Sequence, residues 1–295
     1  MDQYFDIFVT AYKDYASYLW KTITNILIDG DLNYFYFLIV ISLAVWGLEL
    51  SFPWRKKQKA FRKDFWLDAF YMFFNFFIFN LLLFVALSEV TISLITDLLA
   101  PIGYQGGNLL NLSELQWGWQ LLIFFIISDF VQWSVHVMLH RVPFLWKIHK
   151  VHHSVKEMGF AAHLRYHFGE TLVYNSFKYI TLSMIFGFQL ELAFIIHGFA
   201  IVIGHLNHAN IGWDYGPLKY ILNNPKMHIW HHSKALPKEH PYGMNYGITL
   251  SVWDYLFNTN YIPYDGRDIE LGFENDERYN TNFFKQLIEP FRDKD

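Results

Sequence analysis

The chain has 295 residues, 53% of them hydrophobic and only 17% charged, and its 23 Lys and Arg against 27 Asp and Glu leave a net charge of −4. That balance gives no reason to expect a nucleic-acid partner, and the lack of cysteine excludes disulfides, thiolate-bound zinc, iron–sulfur clusters and cysteine nucleophiles. So apolar a composition points to a membrane protein whose metal chemistry, if any, is left to imidazole and carboxylate.

In chain order, the first stretch is no secretory signal, because Asp2, Asp6, Lys13 and Asp14 break it up. With Tyr12, Tyr15, Tyr18, Trp20 and Ile23 it reads as an interfacial amphipathic helix. Residues 34–50, 65–87 and 119–135 are apolar runs, each near the roughly 20 helical residues that span a bilayer. Region 172–206 divides at Gly187-Phe188-Gln189 and holds Lys178, which predicts a hairpin of short helices rather than two full spans. Arg55, Lys56, Lys57, Lys59, Arg62 and Lys63 follow the first run, whereas residues 88–118 contain no Lys or Arg. The first loop is therefore expected in the cytoplasm and the second outside, and the chain returns to the cytoplasm near residue 136. After residue 262 the sequence turns polar and reads as a solvated tail. The predicted fold is an all-α integral membrane protein of about four to five membrane helices with a cytoplasmic helical cap. Its expected divisions are a membrane region at 1–116, a histidine-rich domain at 117–262 and the tail at 263–295.

The histidines cluster where that cap is expected: His136-x-x-x-His140, His149-x-x-His152-His153 and His228-x-x-His231-His232. Positions i, i+3 and i+4 share a helix face, so each cluster should aim its imidazoles at one point. Eight imidazoles are costly to bury as cations and hard to satisfy as neutral groups, and metal coordination removes both problems. Eight ligands suit two ions at four or five nitrogens each, with Zn, Cu, Fe and Ni all open on ligand type. A doubled all-nitrogen site at a lipid interface fits redox chemistry with dioxygen better than zinc chemistry, which takes three or four ligands. Asp129, two turns before His136 on the same face, is the expected hydrogen-bond partner of a ligating imidazole. Glu157, Asp214 and Asp254 are weaker candidates.

The order of these clusters resembles the fatty acid hydroxylase superfamily, which includes sterol desaturases, C-4 sterol methyl oxidases, sphingolipid hydroxylases and alkylglycerol monooxygenases. The likeness covers roughly residues 117–260 and includes Asp129-Phe130-x-x-Trp133, Leu145-Trp146-x-x-His149, His208-Ala209-Asn210, Asn224-Pro225-x-x-His228, Asn245-Tyr246-Gly247 and Trp253-Asp254-x-x-Phe257. It implies a membrane-bound, non-haem di-iron oxygenase that uses dioxygen and two electrons to hydroxylate or desaturate a lipid, such as a sterol or fatty acyl group. It implies metal ligation by His136, His140, His149, His152, His153, His228, His231 and His232, with His208 as a ninth ligand or His205 in its place. Arg165-Tyr166-His167-Phe168-Gly169-Glu170 is similar to an Arg-x-His-Pro-x-Glu stretch of sterol-desaturase-like members but lacks the proline. His167 and Glu170 are thereby marked as contacts of substrate or donor, with a structural role equally open. His163, His197 and His240 match no motif.

The implied partners are a lipid from the bilayer and a separate electron-donor protein or pterin, since no cytochrome b5-type or ferredoxin module is visible. The lipid is expected to enter between spans near Phe73, Phe74, Phe76 and Phe77. The competing readings are a bis-histidine haem protein for electron transfer, a metal carrier and a zinc hydrolase. Haem would need histidine pairs inside opposing spans, and no His-Glu-x-x-His or Gly-x-Ser-x-Gly pattern supports a hydrolase. Phe291-Arg292-Asp293-Lys294-Asp295 shows no dilysine-type signal, which favours a bacterial inner membrane over an endoplasmic reticulum, with the metal site facing the cytoplasm.

Overall fold

Helix boundaries in this chain follow capping and proline chemistry. In the computed structural model, residues 2–28, 31–75, 77, 78, 90, 93, 94, 96–98, 100–102, 110, 112, 114–179 and 190–292 are described. Helix α1 (Asp2–Thr24) exposes Phe5, Tyr12, Tyr18, Trp20 and Ile23, and a short antiparallel pair, Leu27–Ile28 with Asp31–Leu32, follows it. Asn33 caps α2 (Tyr34–Ser51), its side chain accepting from the Phe35 and Tyr36 amides. Helix α3 (Phe65–Phe73) starts the second apolar run, and residues 79–87 of that run lie outside the described residues.

Helix α4 (Trp117–Arg141) extends beyond the expected end of its apolar run, so His136 and His140 stand on the helix itself. It stops because Pro143 drives Val142 into an extended conformation (φ −90°, ψ 118°), and the same proline then occupies the first turn of α5 (Pro143–His153). Helices α6 (Phe168–Tyr179) and α7 (Leu190–His208) occupy the predicted hairpin region, with Gly187-Phe188-Gln189 outside the described residues. Helix α8 (Pro225–His231) is capped by Asn224, whose side chain accepts from the Met227 amide, and α9 (Val252–Leu256) and α10 (Phe283–Ile288) complete the order.

Among the described residues, α2 and α4 are long and apolar enough to cross a membrane, and only 22% and 33% of those stretches is buried. Val40, Leu43 and Leu50 on α2, and Trp117, Trp119, Leu122 and Ile126 on α4, face outward. Outward apolar surface of this extent is what a membrane-associated helix presents. A buried cluster that includes Leu38, Val45, Phe65, Met72, Phe160, Leu164, Ile201 and Ile211 ties α2, α3 and α7 to the turn at 160–164.

The polar tail is docked, contrary to expectation. Phe283 packs against Phe70, Tyr71 and Phe74 at centroid distances of 4.8, 4.9 and 4.7 Å. The Tyr71 hydroxyl donates to Gln286 Oε1 at 2.9 Å, and Asp276 is buried between Lys156 and Lys234. Apolar anchors and a buried acid dock a segment whose average composition is polar. The Asp276 partners follow the two HxxHH boxes, so this segment straps both from outside.

Candidate metal centre

Four helices end at one place. His136 and His140 lie in the last two turns of α4, His149, His152 and His153 end α5, His208 ends α7, and His228 and His231 end α8 with His232 as its C-cap. A helix C-terminus carries roughly half a negative charge, so four converging ends favour bound cations.

The nine imidazoles form two buried groups: His136, His140, His149, His153 and His231 in one, and His152, His208, His228 and His232 in the other. Within each group the ligand atoms all lie within 4.8 Å of one another. Each HxxHH box is divided between the groups rather than aimed at one point. At 3.6 residues per turn, i+4 lies about 40° to one side of i and i+3 about 60° to the other. The i,i+4 pair His149 and His153 therefore joins the five-histidine group while His152 joins the other, and His228 and His232 pair in the four-histidine group while His231 does not. The groups adjoin, with the His153 and His232 rings stacked at 4.5 Å.

Backbone carbonyls fix the tautomers. The Nδ1 atoms of His136, His140, His152, His208 and His231 meet the carbonyls of Tyr246, Tyr242, Arg165, Gly204 and Met244 at 2.6, 3.0, 3.2, 2.8 and 2.8 Å. A carbonyl only accepts, so each Nδ1 carries the proton and each Nε2 turns a lone pair into the cluster. The Nε2 atoms of His152 and His208 thus face each other at 3.3 Å with no proton between them. His140, His153 and His231 also bury Nε2 atoms without a hydrogen-bond partner, as His232 does its Nδ1. Facing lone pairs in a buried site are satisfied by a cation, and these residues fit a metal on that ground. Burial, reinforced by neighbouring imidazoles, holds His149, His152, His153, His231 and His232 well below the usual imidazole range, so they stay neutral and available as ligands.

A second layer holds the imidazoles in place. Glu170 Oε2 lies 2.9 Å from His149 Nδ1. Burial pushes this carboxyl well above the ordinary range, and a cation on His149 opposes that shift. Arg165 is fully buried and donates to Asp68 Oδ1 at 3.0 Å and to Ser154 Oγ at 2.8 Å, while its carbonyl receives His152. Asp68, which also pairs with Arg62, thereby links α3 to the site. Asn245 sits in the left-handed region at φ 54°, and its side chain bonds to Met227 and Tyr261, so Met244 and Tyr246 can turn their carbonyls to His231 and His136. Asp254 accepts from the Tyr246 amide (2.9 Å), the Gly247 amide (2.7 Å), Thr259 Oγ1 (2.6 Å) and Trp133 Nε1 (3.1 Å). A Cβ on Gly247 would stand 2.3 Å from the Leu250 carbonyl, so only glycine closes this turn.

Several expected roles change. Asp129 touches no imidazole in any described contact; it accepts from Trp253 Nε1 at 2.8 Å, and Trp133 reciprocally donates to Asp254. Seven residues of helix rise about 10.5 Å, too far for a hydrogen bond to His136. The Asp129-x-x-x-Trp133 and Trp253-Asp254 pairs lock α9 onto α4 instead. His205 lies outside both groups, its Nδ1 2.8 Å from His163 Nδ1 and its Nε2 3.1 Å from Ser42 Oγ. His163, which no motif marks, packs 5.1 Å from the His208 ring. His167 directs both ring nitrogens to the backbone: Nε2 donates to the Leu287 carbonyl at 2.9 Å and Nδ1 accepts from the Gly169 amide at 3.0 Å. Glu157 accepts from the Lys63 amide and Asp214 is an exposed turn residue that accepts from the Gly216 amide, and neither meets an imidazole in a described hydrogen bond. The sequence reading passes over Asp68, although a lone acid within an apolar run signals a special role, and it gives Arg165 no role of its own within the stretch that it opens.

Residues 121–259 match the fatty acid hydroxylase family. The ornithine lipid hydroxylase of Rhizobium tropici is 32% identical over 181 residues, which are 61% of this chain and 53% of that protein. The alkylglycerol monooxygenases of Caenorhabditis elegans and Homo sapiens are 28% and 29% identical, over 48% and 50% of this chain and 27% and 33% of theirs. The chain spans about half, or less, of the length of these curated relatives. No solved structure matches it.

Proposed function

We propose, for a chain whose residues 121–259 belong to the fatty acid hydroxylase family, that the two histidine groups hold two iron ions and that the protein hydroxylates a membrane lipid. The observation that carries this reading is the pair of adjoining buried groups, five and four imidazoles strong, in which His136, His140, His152, His208 and His231 turn Nε2 lone pairs inward. The five nitrogens of the larger group exceed the three or four ligands that a hydrolytic or structural zinc takes, which supports iron. An unactivated C–H bond yields to no side-chain acid, base or nucleophile, and bound iron would supply the activation of dioxygen that such a bond requires.

The chain's own residues do the positioning. Tyr242, Met244, Tyr246, Arg165 and Gly204 hold five imidazoles in one tautomer, and Glu170 sets the sixth. Outward apolar faces on α2 and α4 keep the site at a lipid boundary, which suits an amphiphilic substrate. The relatives named for ornithine lipid and alkylglycerol favour a lipid with a polar head group, and their names favour hydroxylation over desaturation. Hydroxylation puts one atom of dioxygen into the lipid and releases the other as water, so two electrons must come from a separate donor and two protons from water.

The test is metal analysis and an absorption spectrum of purified protein, with lipid profiles of cells carrying and lacking the gene. Bound iron and a lipid heavier by one oxygen atom are expected. A lipid lighter by two hydrogens would make it a desaturase, and a Soret band or zinc alone would overturn the oxygenase reading.

A further inference from the structure

The electrons that the oxygenase reading requires must enter somewhere, and one surface stands out. On the α5 face opposite its histidines, Lys147 and Lys150 line a cavity of about 300 Å³ together with Arg278 and Arg292 of the C-terminal strap. Glu274 and Glu289 are the acids in its wall, so cations outnumber anions two to one on a chain whose net charge is −4. Lys147, Arg278 and Arg292 are exposed at the rim.

Beneath the rim lies a short path inward. Lys150 Nζ sits 5.2 Å from the Phe273 ring centroid and 6.0 Å from that of Trp146. The Trp146 ring is 5.0 Å from the His140 ring and 5.2 Å from the His153 ring, both in the five-histidine group. One aromatic ring therefore separates a positive depression from a metal-binding group. An exposed cationic rim steers and registers a macromolecule's acidic patch, whereas a small reductant would call for an enclosed, largely apolar pocket.

We propose that this depression docks an acidic one-electron carrier protein and that Trp146 passes its electrons to the five-histidine group. This rests on the oxygenase reading. Two carrier molecules are each oxidised by one electron per turnover; with two protons from water, these electrons balance insertion of one oxygen atom into a C–H bond and release of the other as water.

The experiment uses the full chain, iron-loaded, in nanodiscs of neutral phosphatidylcholine. Its probes are a plant-type [2Fe–2S] ferredoxin, which is acidic, and cytochrome c, which is basic. Affinity is measured at about 20 and about 200 mM salt, and reduction of the bound iron by reduced ferredoxin is followed by stopped flow. Ferredoxin should bind at low salt, and Lys147→Glu with Arg278→Glu should weaken it about tenfold or more while creating affinity for cytochrome c. Trp146→Leu should bind ferredoxin with unchanged affinity but accept its electrons more slowly at equal iron content. Ferredoxin binding indifferent to salt or to the double reversal overturns the docking site, and so does its loss when phosphatidylglycerol replaces the neutral lipid. Reduction of Trp146→Leu at the unaltered rate overturns the path. Absence of iron on metal analysis would sink the oxygenase reading separately, while the binding measurements still decide the docking site.

Discussion

The two histidine groups draw on the same boxes but are anchored differently. In the five-histidine group His149 leans on a carboxylate, Glu170, whereas His152 and His208 of the other group lean on carbonyls. A carboxylate behind a ligand makes the imidazole more basic and adds charge to offset the cation. The five-histidine group also meets Trp146 near the surface, while the four-histidine group backs onto the His163–His205 pair within the packing of α2 and α7. Identical ligand chemistry thus sits in unequal surroundings, and the inequality lies in the second layer.

Ligand deletion should break this comparison most sharply. His152→Ala and His231→Ala take one imidazole from the four- and five-histidine groups respectively. Each is expected to abolish lipid hydroxylation and to lose the ion of its own group while retaining the other, with helical circular dichroism preserved. Metal analysis showing both ions retained in either variant would remove that residue as a ligand. His205→Ala, outside both groups, should keep both ions.

Glu170→Gln comes next and should act on one group only. Loss of a second-layer partner typically weakens metal binding about 10- to 100-fold. Chelator competition should then show one ion released early and the second at the wild-type concentration. Equal weakening of both would mean that the carboxylate acts on the whole cluster rather than through His149.

How much of this is legible in one dimension depends on who does the work. The ligands are legible because a metal needs particular side chains, and helical spacing survives as HxxxH and HxxHH. Their division between two groups is a matter of 100° per residue and becomes definite only when α5 and α8 are set side by side. The partners of Nδ1 are mostly backbone carbonyls, which every residue owns, so nothing in the letters Arg165, Gly204 or Met244 announces them. Asp129 shares a helix face with His136 but not its height, and its true partner, Trp253, is distant in sequence. The C-terminal segment reads as solvated because composition averages over Phe283 and Asp276, the residues that dock it.

Smaller effects should separate the groups further. Asp254→Asn leaves buried donors facing an amide where a carboxylate stood, at a cost of about 2–3 kcal/mol in stability. It slackens the Tyr246 carbonyl on His136, so calorimetry should show the lower Tm and chelator competition a loss confined to the five-histidine group. Acid acts on both. The buried imidazoles of α5 and α8 sit below their unfolded value of about 6.5, so they add stability above that pH and lose it as the pH falls. Tm measured against pH should drop on the acid side in metal-stripped protein. Loading with ferrous iron should move that drop to lower pH, because metal and proton compete for the same lone pairs.

Asp276→Asn should have the least effect and the least selectivity. The carboxylate is buried but its partners are not: the Lys156 and Lys234 side chains are 31% and 19% exposed, so solvent screens the pairing and about 1 kcal/mol is the expected loss. Lys156 follows the box that sends His149 and His153 to one group and His152 to the other, and Lys234 follows the box divided the opposite way. A strap across both boxes cannot favour either group. Chelator competition on Asp276→Asn should therefore show both ions released at slightly lower chelator concentration with their separation unchanged. A selective loss of one ion would mean that the strap, and not Glu170 alone, sets the two groups apart.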